Sequence, residues 1–139
     1  MPIELTEEMA RAINNALTDR MPCLVATASP DGTPDVAYRG SVMVFDKEHL
    51  AFWERTKGET LANLEQNPKA VVMYRNHNTR QTWRFYGTAT IHRDGPLRQQ
   101  VMERVNELEL GQDPERQGYA VIIRVDRVRE RSQTIVVRD

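Results

Sequence analysis

The sequence predicts an α+β protein, mainly β, in which a small antiparallel barrel carries three short helices. Three observations lead there. Six or seven segments with strand character recur along the chain. Most are joined by turns too short for a crossover, so neighbouring strands pair antiparallel. A small antiparallel sheet leaves exposed edges unless it curls into a barrel. The chain has 139 residues, and with no linker-like stretch inside it they read as one domain, 1–139.

In chain order, residues 5–17 predict a helix. Leu5, Met9, Ile13 and Leu17 share one face, and Glu7 and Glu8 stand where the helix dipole favours them. Residues 22–29 predict a strand that is apolar on both phases, so both faces need cover. Pro30, Asp31 and Gly32 mark a turn, and strands follow at about 35–45 and 49–54. A short helix over 58–66 buries Leu61 and Leu64 and stops at Asn67–Pro68. Residues 69–75 form another two-phase strand. Over 82–93 the alternation is clean, with Trp83, Phe85, Gly87, Ala89 and Ile91 on the apolar phase. Pro96 opens a helix whose buried side is Leu97, Val101, Val105 and Leu108. Residues 111–118 are a loop, 119–130 a long strand and 133–138 a short last one. Three helices leave the outer apolar phases of strands 22–28 and 70–74 under-covered, which calls for a second copy of the chain.

Composition narrows the function. A net charge of −1 argues against a nucleic-acid binder working through bulk charge. No apolar run approaches the roughly 20 residues of a membrane span, and the start, Met-Pro-Ile-Glu, lacks the basic and apolar regions of a secretion signal. One cysteine makes the cytoplasm the expected location and Cys23 a core residue. His49, His77 and His92 lack metal-ligand spacing, and no hydrolase, zincin or Walker motif is present. Only three of the 19 basic residues are lysines; arginine suits bidentate contact with phosphate or carboxylate, though codon bias produces the same count.

Three places could carry chemistry. Phe52–Trp53 leads through Glu54-Arg55-Thr56-Lys57-Gly58-Glu59-Thr60 into a helix start. Free N–H groups there bind anions. Arg55 and Lys57 bring positive charge, Thr56 and Thr60 bring hydroxyls, and Gly58 permits close approach. An ordinary helix entry with solvated charges fits the same spacing, and Glu54 and Glu59 oppose an anion unless they point away. Tyr38-Arg39-Gly40-Ser41 could present Arg39 and Ser41 at a pocket edge. Trp83 falls on the core phase and Arg84 on the other, where an interface or pocket could use it. Arg124, Arg127, Arg129 and Arg131 read as a solvated or dimer-rim surface.

The ordered set of features resembles a known family. It runs from Leu24-Val25-Ala26-Thr27 and Asp31-Gly32-Thr33-Pro34, through the basic turn, Asn63-Leu64 and Asn67-Pro68, to Phe85-Tyr86-Gly87-Thr88-Ala89, covering about residues 20–130. This looks like the pyridoxamine 5′-phosphate oxidase-like family of flavin-binding split barrels. The resemblance implies a six-stranded Greek-key split barrel, a homodimer, and FMN in a cleft to which both subunits contribute. It implies that the turn 55–60 holds the phosphate through Arg55, Thr56, Lys57 and Thr60. It places Arg39 and Ser41 near the ring or ribityl chain, and Trp83 and Arg84 on the facing subunit. Family members often carry Ser-Arg-Lys before the helix; here the positions read Gly58-Glu59-Thr60, and the charge has moved to Arg55 and Lys57. The substrate-binding C-terminal region of the vitamin-B6 oxidases is not expected here. The implied activity is flavin redox chemistry on a small molecule, with no general acid or base assigned and no metal. Three alternatives stay open: a deazaflavin coenzyme in place of FMN, a non-enzymatic flavin module, and a barrel that has lost its ligand.

Overall fold

The computed structural model describes residues 2–139. Its elements run α1 (Glu7–Asn14), β1 (Cys23–Ala28), β2 (Pro34–Arg39), β3 (Met43–Asp46), β4 (His49–Glu54), α2 (Glu59–Gln66), β5 (Lys69–Arg75), β6 (Thr82–His92), α3 (Gly95–Arg104), α4 (Glu107–Leu110), β7 (Tyr119–Glu130) and β8 (Gln133–Val137). The strands form one sheet ordered β2-β1-β5-β6-β7-β4-β3, with β8 added on β7. Every pairing is antiparallel. The end strands β2 and β3 are consecutive in the chain but do not pair, so the sheet curls into a barrel that stays split.

The α+β class, mainly β, is as the sequence predicts, with eight strands rather than six. One extra strand arises because the segment expected at 35–45 breaks at Gly40–Ser41 into β2 and β3. Ser41 causes the break to hold. Its hydroxyl accepts from the Trp53 N–H at 2.9 Å and faces the Trp53 carbonyl at 3.3 Å, so it pins the corner to β4. The other is β8, the short last strand expected at 133–138, which folds back on β7 and lies beyond the six strands that the resemblance implies. The helix expected to bury Leu97 and Leu108 is two helices. The chain turns extended at Val105, and Asn106 caps α4 by accepting from the Glu109 N–H at 2.9 Å. Val101 and Val105 are buried as expected, whereas Leu97 is 39% and Leu108 68% exposed, because the break rotates them off the packed face.

Inside the barrel lie Val25, Phe52, Val72, Trp83, Phe85 and Ile123, with Met9 and Ile13 of α1 closing one end. A second cluster, Met43, Ala51, Trp53, Ala120 and Ile122, sits on the outer face beneath Val101 and Val105. Period-2 alternation thus buries both faces of β4 and the first half of β7. Elsewhere the outer phase is not covered. Strand register lines up Tyr38, Leu24, Met73, Arg84 and Arg129 in one row and Val36, Ala26, Val71, Tyr86 and Arg127 in the next. Tyr38 is 67% and Val36 60% exposed, while Leu24, Val71 and Met73 are half-buried.

Candidate functional site

The basic turn leaves β4 and enters α2. Glu54, the last residue of β4, is fully buried. Its Oε1 takes Arg39 Nε at 3.1 Å and Arg39 Nη2 at 3.1 Å. Its Oε2 takes the Thr56 hydroxyl at 2.9 Å and the Lys57 N–H at 2.9 Å. This carboxylate shapes the turn: it holds the Lys57 amide while Lys57 adopts φ 54°, a left-handed conformation that costs a side-chain-bearing residue energy. The sequence reading set Glu54 against the turn unless it pointed away; it points in and organises it.

Each residue singled out from the sequence has a place. Arg39 and Thr56 belong to Glu54, as above. Arg55 is exposed and pairs through Nε with Glu109 Oε2 at 3.3 Å, which α4 delivers from far along the chain. Lys57 sets its ammonium 4.1 Å from the Tyr119 ring centroid, a cation–π contact, and Arg93 stands 5.2 Å over the same ring. Lys57 has no ion pair among the described residues. Thr60 is buried on the inner side of α2. Ser41 is committed to the Trp53 backbone.

Trp83 and Arg84 lie at the other end of the barrel. Residue 54 of β4 faces Tyr119 at the start of β7, while Trp83 faces Glu130 at its end. Trp83 is 2% exposed, stacks on Tyr74 at 5.5 Å, and donates its indole N–H to Glu130 at 3.1 Å. Arg84 donates through Nη2 to the Arg131 carbonyl at 2.5 Å, and among the described residues its buried Nε and that of its cross-strand neighbour Arg129 have no hydrogen-bond partner. Two unsatisfied guanidinium nitrogens side by side are costly, since buried polar groups are normally hydrogen-bonded.

A cleft of about 670 Å³ opens on the outer face beyond the far end of α2. Ala26, Ala28, Val71 and Tyr86 give it an apolar floor, and Lys69 and Arg127 border it. Arg127 lies 4.0 Å over the Tyr86 ring. The volume falls within the roughly 300–1,000 Å³ of small-molecule sites. A much smaller hollow of about 50 Å³ lies among Arg39, Trp53, Arg55, Thr56 and Glu109.

The turn's fit to a coenzyme phosphate is decided by what is left free. Arg39 and Thr56 are taken. The start of α2 fits: no side chain caps it, a Cβ on Gly58 would meet nothing within 4 Å, and Lys57 brings a cation without an acidic partner. Glu109, Arg93 and Tyr119 were not legible as parts of this site; Glu54 was legible only as a charge opposing an anion, not as the group that organises the turn.

Cys23 is buried in the barrel, and desolvation pushes its thiol up to about 12, so it stays protonated. His49 pairs with Asp46 at 2.7 Å and His92 with the Thr90 hydroxyl at 2.8 Å. Among the described residues no group of three or more metal-ligating side chains occurs, and no helix is long and apolar enough to cross a membrane.

Comparison with known proteins agrees with this architecture. A protein of Methanocaldococcus jannaschii of unknown function is 30% identical over 95 residues, 67% of this chain; the chain spans only 60% of that relative's length. The crystal structure of HupZ from Group A Streptococcus superposes with a TM-score of 0.74 at 26% identity, covering 94% of this chain and 96% of HupZ. An FMN-binding protein from Syntrophomonas wolfei superposes with a TM-score of 0.73 over 90% of this chain and 85% of its own, at 16% identity, a likeness of fold. The family model for pyridoxamine 5′-phosphate oxidase matches residues 6–132, nearly the full length of the split barrel, and the chain belongs to that family.

Proposed function

We propose that two copies of this chain bind FMN between them and use it for two-electron redox chemistry on a small molecule in the cytoplasm. One observation carries the reading: Lys57, the residue before the uncapped, open start of α2, has no ion pair among the described residues. The FMN-binding protein of the same fold supports it. In this reading Lys57 and the first α2 amides hold the phosphate, with Arg55, Thr56 and Thr60 around them. Arg39 and Ser41 fix the strand corner beside the ring or ribityl chain. Arg84 is offered by the facing subunit, on a strand that Trp83 anchors in the core. Bound FMN supplies a hydride acceptor and donor; the protein binds and orients it and excludes water. No residue is assigned as acid or base.

Purified protein should be yellow with a flavin spectrum. A deazaflavin-type spectrum would replace FMN by that coenzyme, and a heme band would overturn the reading. Titrating apoprotein with FMN by fluorescence quenching tests the residue. Lys57→Ala should weaken FMN about fivefold, a loss of order 1 kcal/mol, and leave riboflavin binding unchanged. Unchanged FMN affinity removes the turn from the site.

A further inference from the structure

The basic turn is neutralised from within before any ligand arrives. Arg39 is paired with Glu54 at 3.1 Å and Arg55 with Glu109 at 3.3 Å. Exposed Glu59 stands in the first turn of α2, two residues along the chain from Lys57, the cation of the turn that has no ion pair among the described residues. Arg39, Arg55 and Lys57 are thus matched in number by Glu54, Glu109 and Glu59, and neighbouring Arg93 by its own partner Glu65. Glu54 matters most, because it is wholly buried and takes the donors an anion would use: the Arg39 guanidinium, the Thr56 hydroxyl and the Lys57 N–H. A terminal phosphate carries close to two negative charges at neutral pH. At this turn it finds no net positive charge to match them, and a buried carboxylate beneath it in a low-dielectric setting repels it.

We infer that Glu54 and Glu109 are resident anions that hold the turn's affinity for a terminal phosphate low, so that flavin recognition rests mainly on the ring and ribityl chain. This deepens the flavin reading and, in its ligand arm, rests on it. The Arg39–Glu54 pair also has a structural role, since a buried ion pair is expensive to break. Glu109, by contrast, has a partly exposed side chain (21%), so Glu109→Gln leaves the fold intact and releases Arg55.

FMN and riboflavin differ only in the phosphate, so the ratio of their Kd values isolates its contribution. Fluorescence titration at fixed ionic strength should give a wild-type preference for FMN below about tenfold. Glu109→Gln should raise that preference about fivefold, and Glu54→Gln, where it folds, by more. A second arm needs no flavin. Inorganic phosphate should barely raise the melting temperature of wild-type protein and should raise that of Glu109→Gln clearly. A wild-type preference above tenfold, or a Glu109→Gln preference no higher than wild type, overturns the inference. If neither flavin binds, the flavin reading fails and the phosphate arm decides: strong stabilisation of wild type, or no gain in Glu109→Gln, overturns the resident-anion inference too.

Discussion

Asp113 shows how much one side chain can hold. Its Oδ2 accepts from the Trp53 indole N–H at 2.8 Å and the Gly118 N–H at 2.8 Å, and its Oδ1 from the Gln117 N–H at 3.0 Å. Burial works against its charge, but these hydrogen bonds, helped by Arg116, outweigh it and keep its carboxyl below the usual carboxylate range. Asp113→Ala strands a buried indole N–H and a buried amide, a cost of about 2–3 kcal/mol in urea denaturation. The pH dependence follows from the sign. A folded-state pKa below the unfolded value gives stability that is present above about pH 4 and is lost as pH falls through the folded value. Wild type should therefore lose stability on acidification below that point, and Asp113→Asn should lose less over the same window. Asp113 lies in a stretch that the sequence marked only as a loop, because its partner Trp53 is 60 residues away. Cys23 is the opposite case: its apolar strand neighbours alone implied a buried, unreactive thiol, and it is 1% exposed.

Among the elements, β6 and β7 form the longest ladder, and Gly87 sets its shape. The register shifts by one residue between Tyr86 and Gly87, a bulge that leaves Asp126 of β7 outside the ladder pairing. A Cβ at Gly87 would run into the Arg124 carbonyl oxygen and Ile123 Cγ2 well inside contact distance. Gly87→Ala should cost about 1–3 kcal/mol, read from the urea midpoint at unchanged m-value. An unchanged midpoint would show that the ladder can shift there cheaply. The strands at 69–75 and 119–130 were legible to the residue, since their apolar runs lie between clear stops. The helix after Pro96 was not. Leu97, Val101, Val105 and Leu108 keep helical spacing on paper, but Asn106 offers a better cap than a helix interior residue, and the chain restarts there.

The whole molecule carries one incomplete face. The rows through Leu24 and Met73 and through Ala26 and Val71 are apolar and half-buried; the first runs into Arg84 and Arg129 with their orphaned Nε atoms, the second into Tyr86 and Arg127. A second copy laid across this face would cover the apolar half and satisfy the cationic half, as an isologous interface requires. Light scattering after gel filtration should give the mass of two chains. Met73→Asp should give monomers with weakened FMN binding and a melting temperature within a few degrees of wild type. A Met73→Asp dimer would place the interface elsewhere. The pattern of residues by itself determined the α+β class, where most of the strands fall along the chain and the position of the basic turn, because period-2 alternation, turn residues and a helix start are local properties. Only the tertiary structure decided which charges in that turn are free. Glu109 comes from α4 and Tyr119 from β7, distant in sequence, and an anion site is defined by the charges that remain unmatched once the chain has folded.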